Sequence, residues 1–276
     1  MTMPITTVAP PVRGAPCWVN LLVRDLSAAQ AFYSAVLGWT FDSSGMLGEG
    51  FSIALADGRP VAGIGARSPF LAAPTVWMPY FASADVNASA DRIRERGATV
   101  AVGPLAVGEG RAAIASDRDG AVFGIWEGAA PVWSPGTADA TPWLELWTRD
   151  AFEAALFYGE VFSWPRPGPD AIDVAYEEEQ VVARVAGHPM TVLSGGAVGS
   201  APDPRIRPRW IVHFPVDDAA RAAAQADRAG GETFPAPGVR SSEYVVQDPE
   251  GALFTVAEEP GAVAEEPGDV AGETGV

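Results

Sequence analysis

The chain has 276 residues, of which 48% are hydrophobic and 9% aromatic, and its formal net charge is −17. Because nucleic acids and anionic membrane surfaces both attract basic patches, neither is expected as a partner of so acidic a chain. A lone cysteine excludes an intrachain disulfide, and no apolar run is long enough to span a membrane, so we expect a cytoplasmic globular protein.

The first half of the chain is predicted to combine strands with two helices. After an extended, proline-rich arm over residues 1–15, alternating apolar residues predict a strand at Cys17–Arg24. A helix follows over Ser27–Val36 and stops at Gly38, and a second helix covers Val86–Arg96. The remaining strands are predicted, in order, over Phe51–Leu55, Val61–Ile64, Val76–Ser83, Thr99–Val102, Ala112–Ser116 and Ala121–Trp126.

The second half repeats this order after a linker at 128–140 that is rich in proline, glycine and alanine. Helices are predicted over Phe152–Val161 and Ala219–Ala229. Residues 259–276 form an acidic tail that is expected to be disordered, because it holds too little apolar surface to fold. The strands of this half are predicted over Val181–Ala186, Met190–Leu193, Trp210–Val216, Tyr244–Gln247 and Ala252–Ala257.

The two halves share one motif at a constant offset. It consists of Trp, Arg, Asp, Phe, Tyr, Val and Trp at identical spacing, and it begins at Trp18 and again 125 residues later at Trp143. So long a period indicates a duplicated domain rather than a solenoid of short repeats. We therefore place one domain at 16–127 and a second at 141–258.

These motifs also resemble a known family. A strand followed by Asp25 and a helix with Phe32-Tyr33, then a strand followed by Asp85 and a helix, is similar to the vicinal oxygen chelate superfamily. That superfamily includes glyoxalase I, extradiol dioxygenases, fosfomycin-resistance enzymes and bleomycin-binding proteins, and the chain most resembles tandem glyoxalase-like proteins of actinobacteria. The resemblance implies an α+β fold of two tandem domains, in which each domain has two βαβββ modules that form a half-open β-barrel around a cavity.

The resemblance further implies metal-ligand positions in each domain, but the residues at these positions are unsuitable. Indole, thioether and aliphatic side chains do not bind hard or borderline divalent cations. We therefore expect no metal ion and no cofactor. The positions that align fall on Trp18, Met78 and Gly124 in the first domain, and on Trp143, Ile211 and Thr255 in the second.

If those positions face the cavities, strand alternation places Glu145 and His213 inside the second one. Glu145 and His213 are the candidate catalytic pair, since desolvation raises the proton affinity of a carboxylate while a facing imidazolium lowers it. The alternative is a buried histidine that only forms a structural hydrogen bond. The residues predicted to contact a ligand are Trp18, Asn20, Tyr80, Trp126, Trp143, Trp147 and Thr255.

The preferred functional interpretation is a metal-independent enzyme that acts on a planar or polycyclic small molecule. Its reaction is expected to tailor a secondary metabolite, as a cyclase, isomerase or dehydrating lyase that uses acid–base catalysis. Two alternatives stay open: a non-catalytic antibiotic-binding protein of the bleomycin-resistance kind, and a dioxygenase or glyoxalase with atypical metal ligands. Because duplication supplies the interface that single-domain relatives form by dimerisation, we expect a monomer with pseudo-two-fold symmetry.

Overall fold

The described part of the chain folds into two eight-stranded mixed sheets and four helices. A small third sheet pairs β1 (Val8–Ala9) with β10 (Ala130–Pro131), and it joins the predicted N-terminal arm to the predicted linker. The remainder of that linker, 132–140, the first seven residues and the tail at 259–276 lie outside the described residues. The computed structural model describes residues 8–42, 50–67, 75–131, 142–168, 170–177, 180–196, 198, 207–235 and 243–258.

The first large sheet is built from the first half of the chain, with α1 (Leu26–Leu37) and α2 (Val86–Glu95) on one side. Its spatial order is β3-β4-β5-β2-β6-β9-β8-β7, with β2 parallel to β5 and antiparallel to β6. The strands are β2 (Pro16–Val23), β3 (Thr40–Asp42), β4 (Phe51–Ala56), β5 (Arg59–Ala66), β6 (Trp77–Ala82), β7 (Thr99–Val107), β8 (Gly110–Ser116) and β9 (Val122–Glu127).

The second large sheet has the same topology, with α3 (Ala151–Phe162) and α4 (Ala219–Arg228). Its order is β12-β13-β14-β11-β15-β18-β17-β16, with β11 parallel to β14 and antiparallel to β15. The strands are β11 (Trp143–Trp147), β12 (Ile172–Glu177), β13 (Gln180–Val185), β14 (His188–Ser194), β15 (Arg209–Val216), β16 (Glu232–Pro235), β17 (Glu243–Gln247) and β18 (Leu253–Glu258). The predicted α+β fold of paired, open-sided sheets is confirmed, and neither sheet closes into a complete barrel.

An aspartate begins every helix, which explains why strand–Asp–helix recurs along the chain. Each of these aspartates has an extended backbone, and its carboxylate accepts a hydrogen bond from a backbone N–H in the first helical turn. Such caps stabilise a helix by about 0.5–2 kcal/mol. The four residues are Asp25, Asp85, Asp150 and Asp218.

Strand alternation gives each sheet one face that is covered by helices and one that is not. In β2, Val19, Leu21 and Val23 are buried in the main apolar core with the residues of α1. The intervening residues Trp18 and Asn20 lie on the opposite face. We call this helix-free face of the first sheet the first cup, and the corresponding face of the second sheet the second cup.

The core is continuous across both halves, because the helix-covered faces of the two sheets pack on each other. Trp77 of β6 contacts Phe214 of β15 with ring centroids 5.0 Å apart, and Phe81 contacts Trp210 at 5.3 Å. Aromatic pairs at these distances stabilise packing beyond the area they bury. The two cups therefore open away from each other, on opposite sides of the shared core.

Two reciprocal hydrogen-bond relays connect the halves inside this core. The Tyr33 hydroxyl of the first half donates to Asp248 Oδ2 of the second half at 2.9 Å, and Trp77 Nε1 donates to the Tyr33 oxygen at 3.0 Å. Tyr158 of the second half likewise donates to Asp117 of the first at 3.0 Å. The repeated Phe-Tyr and Asp motifs thus hold the halves together, and every one of these groups is buried and paired.

The sequence did not predict three short strands that lie at sheet edges, namely β3, β12 and β16. Edge strands are short and partly exposed, so they lack a clear apolar alternation. Within the described residues, none of the helices has the length and apolarity needed to cross a bilayer.

Candidate functional site

The second cup gathers one polar side chain from each of the four central strands of its sheet. Strand pairing brings them together. Glu145 of β11 pairs with Val192 of β14, and Ser194 lies two residues further along β14. His213 of β15 pairs with Thr255 of β18. Side chains two residues apart on a strand share a face. Ser194, His213 and Thr255 are buried, and the side chain of Glu145 is 21% exposed.

Glu145 and His213 form the charged centre of this cup. Glu145 Oε2 lies 3.2 Å from His213 Nε2, which is an ion-pair distance, although the ring N–H is not directed well enough to count as a hydrogen bond. Trp143 stacks on the imidazole with a centroid separation of 4.9 Å and an angle of 6° between the ring planes. The aromatic face therefore fixes the orientation of the imidazole and excludes water from one side of it.

Glu145 is held by a chain of hydrogen bonds that reaches the surface. The Ser194 hydroxyl donates a short hydrogen bond to Glu145 Oε1, and Gln180 Nε2 donates to Ser194 Oγ at 3.1 Å. Burial on its own raises the pKa of Glu145, but hydrogen bonds and charge from His213, together with Ser194 and Trp147, outweigh it and lower that pKa below the usual glutamate value. Glu145 is therefore ionised at neutral pH.

Three buried side-chain atoms of the second cup have no hydrogen-bond partner among the described residues, namely His213 Nδ1, His213 Nε2 and Thr255 Oγ1. Nε2 is in ion-pair contact with Glu145, which leaves Nδ1 and Thr255 Oγ1, on residues that are 5% and 1% exposed, as the two unpaired atoms. Buried polar groups are nearly always paired, because an unpaired one costs about 1–3 kcal/mol. These two atoms are therefore available to hydrogen-bond a molecule that enters the cup. An apolar wall of Trp147, Ile211 and Val245, with Leu253 and Val198, surrounds them.

The first cup differs, because its polar atoms are paired with each other. Trp18 Nε1 donates to Asn20 Oδ1 at 2.9 Å, and Asn20 also bonds the hydroxyl of Tyr80. Burial raises the pKa of Tyr80 to about 12, partly offset by the Asn20 hydrogen bond, so Tyr80 is a neutral phenol. In the described part of the first cup no buried side-chain polar atom lacks a partner.

Aromatic rings also fill the first cup, and glycines make the space for them. A Cβ at Gly124 would lie 2.3 Å from the Tyr80 ring, and a Cβ at Gly63 would lie 2.4 Å from the Phe51 ring. Trp126 lies against Gly110 near the end of β9, where its Nε1 donates to the carbonyl of Ala129 at 3.0 Å. The two copies of the domain have thus diverged: one cup is packed with its own side chains, and the other keeps unpaired polar groups.

The structure places the predicted residues in two separate groups. Glu145, His213, Trp143, Trp147 and Thr255 share the second cup, whereas Trp18, Asn20 and Tyr80 share the first, with Trp126 at its edge. Neither Ser194 nor Gln180 was predicted as a site residue. The strand was predicted to end at Leu193, although a two-residue step from Val192 places Ser194 on the cup face.

The side chains of the second cup do not fit the metal site that the family resemblance implies. Divalent ions in proteins are usually held by three or more histidine, aspartate, glutamate or cysteine ligands. Among its described residues the second cup supplies Glu145 and His213, and these two contact each other. Across the described part of the chain, no cluster of three or more such residues is close enough to hold a metal ion.

A cleft of about 390 Å³ lies elsewhere, on the seam between α1 and α4. Its lining includes Asp57, Asp217, Asp218 and Arg221, with backbone at the end of α1. No histidine and no unpaired buried side chain of the described residues contributes to it. Among the described residues, the buried polar atoms that lack partners lie in the second cup rather than in this cleft.

Comparison with known proteins finds two family models that match this chain, one within each half. Residues 17–49 match the family model of the bleomycin resistance protein-like N-terminal domain, and residues 143–257 match that of the glyoxalase-like domain. The chain is 32% identical over 262 residues to CFP32 of Mycobacterium tuberculosis (strain CDC 1551 / Oshkosh), which bears the name of a glyoxylase, with 88% of this chain and 94% of CFP32 covered. It is 29% identical over 267 residues to the anthracycline biosynthesis protein DnrV of Streptomyces peucetius, with 89% and 93% covered.

Solved structures share the same fold at lower sequence identity. The Mn(II)-bound glyoxalase from Novosphingobium aromaticivorans has a TM-score of 0.55 at 18% identity, covering 90% of this chain and 82% of the glyoxalase. The 2,3-dioxygenase LapB from Pseudomonas sp. KL28 also has a TM-score of 0.55, at 12% identity, covering 91% and 93%. At such identities the similarity shows a common fold and says nothing of a common reaction.

Proposed function

Because the chain belongs to the vicinal oxygen chelate superfamily, we propose that its second cup is the active site of a metal-independent enzyme. The enzyme would move protons on a planar, polycyclic small molecule. The observation that carries this proposal is the pairing of ionised Glu145 with His213 beside polar atoms that have no hydrogen-bond partner in the described part of the chain. Perturbed titratable groups in a buried pocket are characteristic of catalytic sites.

Two observations support a polycyclic substrate. Trp143 and Trp147 border the charged pair, and indole rings bind flat ring systems by stacking. One relative is named for anthracycline biosynthesis, and anthracyclines are polycyclic. We propose that the reaction tailors such a secondary metabolite, as a cyclisation, an isomerisation or a dehydration.

The proposed mechanism divides the work between the two residues. His213 exchanges a proton with the substrate, and Glu145 orients the imidazole and stabilises its charged form. Acid–base catalysis of this kind contributes roughly 10²–10⁴-fold in rate, and the aromatic walls add orientation of the substrate. Ser194 and Gln180 keep the carboxylate in place without contacting the substrate.

A test is available that does not require the natural product to be known. Purified protein is incubated in D₂O with a panel of hydroxylated anthraquinones and returned to H₂O, which washes out the deuterium that hydroxyl groups exchange spontaneously. Mass spectrometry then follows deuterium retained at carbon and any new product. We expect at least a 100-fold loss of rate in His213→Gln and in Glu145→Gln. The matched control is His188→Gln, because His188 is the chain's other histidine and is exposed at the start of β14.

Unchanged rates in both second-cup variants would contradict the proposal. A non-catalytic antibiotic-binding protein is the second candidate, and the match of residues 17–49 to a bleomycin resistance-like model favours it. Such a protein would bind members of the panel tightly and return them without deuterium and without change of mass.

A further inference from the structure

We propose that the substrate presents an acidic hydroxyl, a phenol or an enol, to Thr255 and His213, and that His213 Nδ1 removes its proton. This inference rests on the proposed function, because it assigns the chemical group that the second cup acts on. It adds Thr255 as a residue that binds this group, and it decides which nitrogen of His213 is the base.

The tautomer of His213 follows from its neighbours. Glu145 is ionised, and its Oε2 lies 3.2 Å from His213 Nε2, so the proton of a neutral imidazole is favoured on Nε2. Nδ1 is then an acceptor, and no residue that the structure describes donates a hydrogen bond to it. The Ser194 hydroxyl donates a hydrogen bond to the other carboxylate oxygen, Oε1, and keeps Glu145 facing the imidazole.

Thr255 supplies the complementary group. It is the direct cross-strand neighbour of His213 on a parallel strand, so both side chains lie on the cup face. A ligand hydroxyl can donate to Nδ1 and accept from the Thr255 hydroxyl at the same time. A carbonyl or an ether has no proton to donate to His213 Nδ1. Of these three groups, only a hydroxyl can hydrogen-bond both Nδ1 and Thr255 Oγ1.

The first cup provides an internal comparison, because its strand register matches that of the second. The position of His213 is taken there by Tyr80, whose hydroxyl is bonded to Asn20, and the position of Thr255 is taken by Gly124. At these two matched positions the first cup has neither an imidazole nor a threonine hydroxyl. Among the described residues, the proposed subsite is therefore found in the second cup and not in the first.

The proton transfer balances without a co-reactant. The O–H bond of the substrate breaks, its electron pair stays on the oxygen, and the proton forms an N–H bond at His213 Nδ1. The resulting imidazolium is stabilised by the Glu145 carboxylate at Nε2. The substrate oxyanion is stabilised by the hydrogen bond that Thr255 donates.

The inference is tested with two probes that differ only at the oxygen, 2-hydroxyanthraquinone and 2-methoxyanthraquinone. Affinity is measured by quenching of tryptophan fluorescence, and ionisation of the bound hydroxyl by the red shift of the probe's absorption band. The wild-type protein should bind the hydroxyl probe about tenfold more tightly, the effect of one well-made hydrogen bond. It should also red-shift the probe at a pH where the free probe is neutral.

Three threonine variants isolate the hydroxyl of Thr255. Thr255→Val should lose most of the tenfold preference, because the bound oxyanion loses its donor, while affinity for the methoxy probe falls only slightly, because a neutral ether oxygen is the weaker acceptor. Thr255→Ser should keep the preference. Thr191→Val is the matched control, since Thr191 is buried on the helix-covered side of β14 and its hydroxyl is bonded to the carbonyl of Leu144. The control should bind both probes like the wild type.

Two results would overturn the inference, and they bear differently on the proposed function. If both probes bind equally, or if Thr255→Val keeps the preference, the hydroxyl subsite is wrong, whereas deuterium exchange that depends on His213 would leave the acid–base function intact. If neither probe binds, the polycyclic substrate class and the subsite are wrong together.

Discussion

Replacing Thr255 by valine should make the protein more stable while impairing its binding of hydroxylated ligands. Thr255 is 1% exposed, and its hydroxyl has no partner among the described residues. Valine has nearly the same shape and places a methyl group where the unpaired hydroxyl was, among Ile211, Val245 and Leu253. The substitution therefore removes an unpaired polar group without opening a cavity.

The size of the effect follows from the penalty for such a group. A buried hydroxyl without a hydrogen bond destabilises the folded state by about 1–3 kcal/mol. If Thr255 forms its hydrogen bond only with a ligand, the ligand-free protein carries this penalty. We expect Thr255→Val to raise the free energy of unfolding by about 1–2 kcal/mol. Thr191→Val, which removes a paired hydroxyl, should lower it by about 0.5–1.5 kcal/mol.

The assay is urea unfolding followed by circular dichroism, with the denaturant midpoint compared at an unchanged slope. Opposite signs for the two threonine variants are the predicted result. If Thr255→Val destabilises the protein as much as Thr191→Val does, the Thr255 hydroxyl is already satisfied by the protein. The idea that the fold reserves it for a ligand would then be refuted.

Four other predictions follow from the geometry. Because the pKa of Glu145 is lower in the folded state than its ordinary value of 4.5, the ionised carboxylate stabilises the protein above pH 4.5, and this stabilisation is lost as the pH falls through the folded-state pKa. Glu145→Gln should therefore reduce the fall of the urea midpoint at acid pH. An unchanged fall would contradict this prediction. Tyr33→Phe should lower the free energy of unfolding by about 1–3 kcal/mol, because it leaves buried Asp248 without its donor, and Tyr158→Phe should do the same for Asp117. Variants with an unchanged free energy of unfolding would show that the relays do not join the halves. Elemental analysis of the purified protein should find no stoichiometric transition metal, and one ion per chain would contradict our interpretation of the donor set. Light scattering should give a mass near 28.7 kDa, and twice that mass would contradict the expected monomer.

Much of the fold was predictable because the chain repeats its own signals. The recurring aspartates are helix caps, and the alternating apolar residues of β2 separate a helix-covered face from a cup face, both of which are local effects. The relay from Tyr33 to Asp248 was not predictable, because the two residues are 215 positions apart and neither motif indicates its partner. Its reciprocal copy is visible only after the two sheets have packed.

The candidate site was predictable in part, for a similar reason. Alternation along β11 and β15 placed Glu145 and His213 on one face, and strand pairing then brings them to 3.2 Å. The packing of the first cup was not foreseen, because the rings of Tyr80 and Phe51 lie over glycines that come from other strands. Contacts of this kind between strands decide which cup keeps unpaired polar atoms. The apolar periodicity within a single strand does not predict these contacts.

The most direct test of the central claim is to ask which cup a ligand enters. The chain has two histidines and two asparagines: His213 lies in the second cup and Asn20 in the first, while His188 and Asn87 are exposed references. In NMR spectra of protein labelled with ¹⁵N at histidine and asparagine side chains, 2-hydroxyanthraquinone should shift the His213 signals, most strongly at Nδ1, and leave those of Asn20 and both references in place. A shift at Asn20 with His213 unaffected would contradict the account, because the working cup would then be the first.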